Sequence, residues 1–135
     1  NNNNNDNIKL LPIVVFCYNR PLYLNRTLST LFERMTMSHL HPIIVSQDGT
    51  DKEVAQVAQS FPINQLIQRV DRSLPPLDKG SAKQYYHIAL HYKYGLDKLF
   101  DSFPHADGVI ILEEDLEISN DALEYFRASL ALMRR

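Results

Sequence analysis

Glu113, Glu114 and Asp115 stand side by side at the end of the apolar run Gly108-Val109-Ile110-Ile111-Leu112, and Leu116, Glu117 and Ile118 follow them. Adjacent carboxylates repel one another, and side chains that alternate across a strand cannot all turn to water, so the triplet points to something positive held against it. Carboxylate oxygens suit a hard divalent cation, magnesium or manganese, of the kind that keeps coordination positions open for substrate phosphates. The chemistry on offer is a metal–diphosphate site at the carboxyl end of a sheet. A solvated acidic loop is the plainer alternative for three acids taken alone.

The elements that must position these acids are legible from periodicity. Leu10 to Phe16 is short, apolar and rich in β-branched residues, as a buried strand is. Asn19-Arg20-Pro21 breaks it, proline fits the first turn of a helix, and Leu24, Leu28, Leu31, Phe32 and Met35 then recur at helical spacing. Pro42 to Ser46 reads as a second strand, Gln47-Asp48-Gly49 as a turn, and Thr50 with Glu53 as a capping box opening a helix to about Ser60. Gln65 to Arg69 is a weaker third strand. Ser73-Leu74-Pro75-Pro76-Leu77 must be irregular, because paired prolines deny ladder bonds.

From about Ser81 to Phe100 a long helix is marked by Tyr85, Ile88, Ala89, Tyr92, Leu96, Leu99 and Phe100. Asp107-Gly108 turns into the strand before the acid triplet, and Asp121 with Glu124 caps a last helix carrying Leu123, Phe126, Leu130 and Met133. The order β-α-β-α-β-loop-α-β-α predicts an α/β fold, a mostly parallel sheet flanked by helices, with ligands collecting at the carboxyl ends of the strands. Asn19-Arg20, Gln47-Asp48 and Glu113-Glu114-Asp115 all fall there. That coincidence favours a metal and nucleotide site over an acidic loop.

Composition narrows the classes. A chain of 135 residues suits one domain that buries about two thirds of its unfolded surface. The hydrophobic content of 44% and charged content of 22% are those of a globular protein, and a net charge of -2 gives no general attraction to nucleic acid or anionic lipid. Phosphate binding must therefore be local. Cys17, the single cysteine, can form no disulfide within the chain. No apolar stretch reaches the roughly 20 residues of a membrane helix. Neither a Gly-x-Gly-x-x-Gly turn nor a phosphate-loop signature occurs, which removes weight from dinucleotide dehydrogenases and P-loop enzymes. The polar tract within residues 1–9 is expected to be a disordered, asparagine-rich linker, with the domain running over residues 10–135 and its last helix cut at the C-terminal end.

Four blocks in one order, Cys17-Tyr18-Asn19-Arg20-Pro21, Ile43-Ile44-Val45-Ser46-Gln47-Asp48-Gly49, Tyr85-Tyr86-x-Ile88-Ala89-x-His91-Tyr92 and Glu113-Glu114-Asp115-Leu116-Glu117, resemble the β-1,2-N-acetylglucosaminyltransferases. The resemblance covers essentially everything after Leu10. It implies a GT-A fold, of which this chain is the Rossmann-like, nucleotide-sugar-binding half, and transfer of GlcNAc from UDP-GlcNAc to a terminal mannose of a glycoprotein glycan in β-1,2 linkage with inversion.

By the same resemblance Asp115 ligates Mn2+, Glu113 and Glu114 contact the ribose and the donor sugar, Arg20 and His91 reach the nucleotide, and Asp48 accepts hydrogen bonds from the uridine. A general base must take the proton of the attacking hydroxyl. In the family it lies beyond Arg135, so no residue here is assigned as catalytic, and the piece alone is expected to bind UDP and manganese without efficient turnover. The family is Golgi-membrane bound with a lumenal catalytic domain, an expectation for which this chain shows no anchor.

Plainer readings stand beside these. Arg20 can be a surface arginine at a helix start, Asp48 a turn aspartate before Gly49, and Tyr85, Tyr86 and Tyr92 packing residues. His87 and His91, four apart on a helix, can chelate zinc, but no glutamate follows His87 to make the protease motif, and His87 reads as a solvated helix residue. Glu113-Glu114-Asp115 resembles the O-mannose branch of the family, whereas Ser46-Gln47-Asp48 and Tyr85-Tyr86 resemble the N-glycan branch, which is preferred. A transferase for another sugar nucleotide and a catalytically silent nucleotide-sugar or carbohydrate-binding module are the rival functions.

Overall fold

The computed structural model describes residues 8–80 and 82–134. β1 (Ile13–Cys17), α1 (Pro21–Glu33), β2 (Ile43–Asp48), α2 (Lys52–Gln59), β3 (Gln65–Arg69), α3 (Lys83–Ser102), β4 (Ile110–Glu113) and α4 (Ala122–Met133) follow one another in the expected α/β alternation. The strands form one four-stranded sheet in the order β3-β2-β1-β4. Every pairing is parallel, with Ile13 opposite both Ile43 and Ile110, and Asp48 opposite Arg69. This is the Rossmann-like arrangement that alternation predicts, and it brings the carboxyl ends of all four strands to one edge.

The two faces of the sheet bury separate clusters. Ile13, Val15, Cys17, Ile43, Val45, Ile110 and Leu112 pack with Leu24, Leu28 and Leu31 of α1, Val54 and Ala58 of α2 and Leu123 of α4. Val14, Phe16, Ile44 and Ile67 face the other way and pack with Leu99 of α3. Period-two alternation along each strand divides the residues in this way. α3 lies unusually close to the sheet at Gly95, where a Cβ would come within 2.6 Å of the Phe16 ring and 2.8 Å of Ser46 Oγ. The missing side chain lets the long helix settle against the β1 and β2 strand ends.

Several local expectations are corrected. Ile8 is buried, and the Asp107 carboxylate accepts from the Lys9 and Leu10 amides at 2.7 and 2.9 Å. The linker reading therefore cannot extend to residue 9, and its remainder, residues 1–7, lies outside the described residues. β1 starts at Ile13 rather than Leu10, and Gln47 and Asp48 belong to β2, so the turn is confined to Gly49 with φ +91°. α2 is capped by Asp51, whose Oδ1 accepts from the Val54 amide at 3.0 Å, not by Thr50 with Glu53. Asp121 makes no side-chain cap bond to α4. In β4 only Ile110 and Leu112 are buried, because it is an outer strand with one face open.

Candidate functional site

The carboxyl ends of the strands and one side of α3 enclose a cavity of about 540 Å³. Residues 16–20 at the end of β1, Asp48 at the end of β2, Arg72 beyond β3 and Glu113 and Glu114 at the end of β4 form one wall, and Gln84, His87, Ile88, His91 and Tyr92 of α3 form the other. Five of the six residues expected at the site line it, and the sixth, Asp115, is next in sequence to Glu114.

Arg20 and Glu114 join two strand ends. The Arg20 Nε donates to Glu114 Oε1 at 2.9 Å, and the Tyr18 amide donates to Oε2 at 3.1 Å. Glu114 is buried while nearly half of the Arg20 side chain is open, so the carboxylate is the fixed member of the pair. The loop after β4 is itself anchored, since Thr27 Oγ1 of α1 donates to the Glu114 carbonyl at 2.5 Å. Each Glu114 oxygen thus accepts one bond from within the protein. Glu113 is exposed and takes the Tyr92 hydroxyl at 2.7 Å, and burial together with that bond pushes the Tyr92 phenol up to about 12.

Asp48 is buried and gripped by two guanidiniums. Arg69 Nε and Nη2 donate to its two oxygens at 2.8 and 3.1 Å, and Arg72 Nε and Nη2 at 3.2 and 3.4 Å. Burial works to raise the carboxyl's pKa, but the Arg69 bond and charge outweigh it, and the net displacement is below the ordinary aspartate value. Asp48 is therefore an ionised acceptor at neutral pH.

His91, also buried, shares a 3.0 Å hydrogen bond between Nε2 and Ser46 Oγ and presents its ring edge-on to Phe16 at 4.9 Å. Burial, only partly offset by the Asp48 charge, pushes it down to about 4, so the ring is neutral at pH 7. With Nε2 on Ser46, Nδ1 is the nitrogen left to meet a ligand.

The sequence model of the GNT-I family matches residues 2–135. The chain belongs to the GNT-I family. It is 38% identical over 128 residues to a protein of Arabidopsis thaliana named Alpha-1,3-mannosyl-glycoprotein 2-beta-N-acetylglucosaminyltransferase, an alignment covering 91% of this chain and 28% of that relative. The chain thus spans little more than a quarter of the length of the GNT-I relative it matches.

Within this GNT-I chain the acid triplet divides its labour. Asp115 is exposed, and its nearest cation is Arg20 Nη2 at 4.0 Å, leaving carboxylate oxygens open to solvent. Among the described residues no group of three or more His, Cys, Asp or Glu is arranged to hold a metal ion. A divalent cation on Asp115 would accordingly draw its other ligands from water and from a ligand's phosphates, which is how magnesium and manganese are commonly held beside nucleotides. The donor set fits a hard cation and does not fit zinc. His91 is committed to Ser46, and His87 Nδ1 accepts from Arg69 Nη2 at 2.8 Å, so the two histidines make no chelate.

His87 is half-buried in the cavity wall, not a solvated helix residue. Tyr85 and Tyr86 are exposed, contrary to the packing expectation, whereas Tyr92 stacks on Phe16 at 4.1 Å. Arg69, Arg72 and Tyr18 were not singled out from the sequence. Arg72 donates to the Tyr18 hydroxyl at 3.1 Å and lies 4.6 Å from the centre of its ring. The available signal was positional, since Arg69 ends the third strand and a parallel sheet gathers its ligands at such ends. No helix among the described residues is long and apolar enough to cross a membrane.

Proposed function

We propose that this chain is the donor-binding part of a Mn2+-dependent, inverting N-acetylglucosaminyltransferase that moves GlcNAc from UDP-GlcNAc to a terminal mannose of an N-glycan in β-1,2 linkage. The observation that carries the reading is the convergence of Arg20, Asp48, His91, Glu113 and Glu114 on one cavity at the carboxyl edge of the sheet, with Asp115 at its rim. Membership of the GNT-I family and the name of the Arabidopsis relative support the transferase class and the mannose acceptor. The Golgi lumen is the compartment this reading implies.

Each residue has a task that its surroundings suit. Asp48, ionised and acceptor-only, takes the imide N–H of uracil. Arg20, oriented by Glu114, offers its remaining guanidinium N–H groups to uracil or phosphate oxygens, where charge-assisted bonds are strongest. Neutral His91 presents Nδ1 to the nucleotide. Glu113, held by Tyr92, faces the donor sugar. Manganese on Asp115 would supply Lewis-acid stabilisation of the negative charge gathering on the departing UDP.

Inversion requires the mannose hydroxyl to lose its proton to a base as its oxygen bonds to C1 and the bond from C1 to UDP breaks. We assign no residue of this chain to that base. The test is transfer of labelled GlcNAc by the full-length protein to a mannose-terminated N-glycan, with the product linkage read by NMR. A β-1,2 product supports the reading. Labelled product only on O-linked mannose, only from another UDP-sugar, or none at all despite donor binding contradicts it.

A further inference from the structure

The two arginines on Asp48 are unequal partners. Arg69 is 5% exposed, sits directly opposite Asp48 in the strand register, closes the shorter fork at 2.8 and 3.1 Å, and has its Nη2 tied to His87 as well. Arg72 lies three residues beyond the strand with its side chain 32% exposed, and it reaches the same two oxygens at 3.2 and 3.4 Å. Its Nη1 and the face of its guanidinium lean on Tyr18. An ionised carboxylate has about four lone-pair sites. All four are taken, so a ligand N–H reaches Asp48 only by replacing one, and the long, solvent-facing bonds are the cheapest to give up.

We propose that Arg69 is a positioning residue that holds Asp48 permanently in place for the nucleotide, and that Arg72 is its exchangeable partner, the side chain that a pyrimidine N–H displaces from Asp48 on binding. The proposal rests on the reading of Asp48 as the acceptor for the nucleobase. It assigns Arg72 to selection as well as occupancy, because only a ligand that brings an N–H donor to the same place recovers the hydrogen bonds Asp48 loses.

The test compares UDP with inorganic pyrophosphate as probes, since the ratio of their dissociation constants isolates what the nucleoside adds. Titrations of the intact protein use Arg72→Gln, Arg69→Gln and Asp48→Asn. Arg72 is on a loop, so its variant keeps the test free of folding failure, and thermal unfolding checks the buried Arg69 variant. Arg72→Gln is expected to strengthen UDP relative to pyrophosphate by about threefold to tenfold, tenfold being 1.4 kcal/mol. Arg69→Gln is expected to weaken it by about tenfold or more.

Arg69→Gln is also expected to move the acid limb of UDP binding to higher pH, with Arg72, His87, His91 and Tyr18 as the other titratable or charged groups around Asp48. A ratio that Arg72→Gln leaves unchanged or lowers overturns the exchange, and an unmoved acid limb in a folded Arg69→Gln overturns the positioning role. If Asp48→Asn itself leaves the ratio unchanged, the nucleobase reading of Asp48 fails and takes the proposal with it. A ratio lowered by Asp48→Asn and by Arg72→Gln alike overturns the exchange alone.

Discussion

Glu114 binds Arg20 Nε through one carboxylate oxygen at 2.9 Å and the Tyr18 amide through the other at 3.1 Å, so a single buried side chain fixes both the backbone and the guanidinium at the end of β1. The link crosses from β4 to its neighbour β1, where Phe16 and Glu113 are register partners. Orientation of Arg20 therefore depends on a residue one strand away.

Replacing Glu114 by alanine should cost about 1–3 kcal/mol of stability, since it strips partners from a backbone N–H and a guanidinium in a partly buried place. UDP affinity should fall by about tenfold, more than for Glu114→Gln, whose amide oxygen keeps one of the two acceptor positions. Urea unfolding read beside calorimetric titration separates the two effects. Unchanged UDP affinity in a folded Glu114→Ala would show that Arg20 needs no such orientation.

Acid sensitivity follows from two buried histidines. Burial pushes His91 down to about 4, and it also lowers His41, whose Nδ1 bonds the Leu11 carbonyl at 2.8 Å and whose Nε2 faces Arg127 Nη1 at 2.9 Å. Both rings take up protons more readily in the unfolded chain, near pH 6.5. The stability supplied by the neutral rings is thus complete above about pH 6.5 and drains away as pH falls toward 4. A thermal midpoint that declines from pH 7 to pH 4.5, with a shallower slope in His91→Asn, is the expected result. A flat profile over that interval would contradict it.

Gly95→Ala should destabilise the protein by about 1–3 kcal/mol, the usual cost of forcing atoms into a filled core, despite a gain of up to about 1 kcal/mol in helix propensity. The added methyl would press on Phe16 and on Ser46 Oγ, the partner of His91 Nε2. Nucleotide affinity should drop with stability. Denaturant unfolding and a UDP titration on one sample decide it.

The sheet and its helices could be read from the chain because their signals are local. Ile13 to Phe16 and Ile43 to Ser46 are buried throughout, as their apolar, β-branched runs suggested, and Pro21 opens α1 where proline belongs. The errors came where tertiary contacts decide. Asp51 rather than Thr50 caps α2, and Ile8 is buried by a core whose depth no seven-residue window reveals. Arg69 and Arg72 look like ordinary strand-end cations until β2 and β3 pair and set Arg69 opposite Asp48. Tyr85 and Ile88 fit a helical stripe, yet only the far part of α3, around His91, Gly95 and Leu99, meets the sheet.

Asp115 is the residue on which the account turns, because Glu114 is engaged through both oxygens and Glu113 through one, whereas Asp115 is exposed with its nearest cation, Arg20 Nη2, 4.0 Å away. Calorimetric titration of UDP-GlcNAc into the folded chain with manganese, with EDTA and with Asp115→Ala tests this directly. Binding that needs manganese and is lost in the variant is the predicted result. Equal binding in all three conditions, or none by a folded wild-type chain, would contradict a metal-assisted donor site at the end of β4.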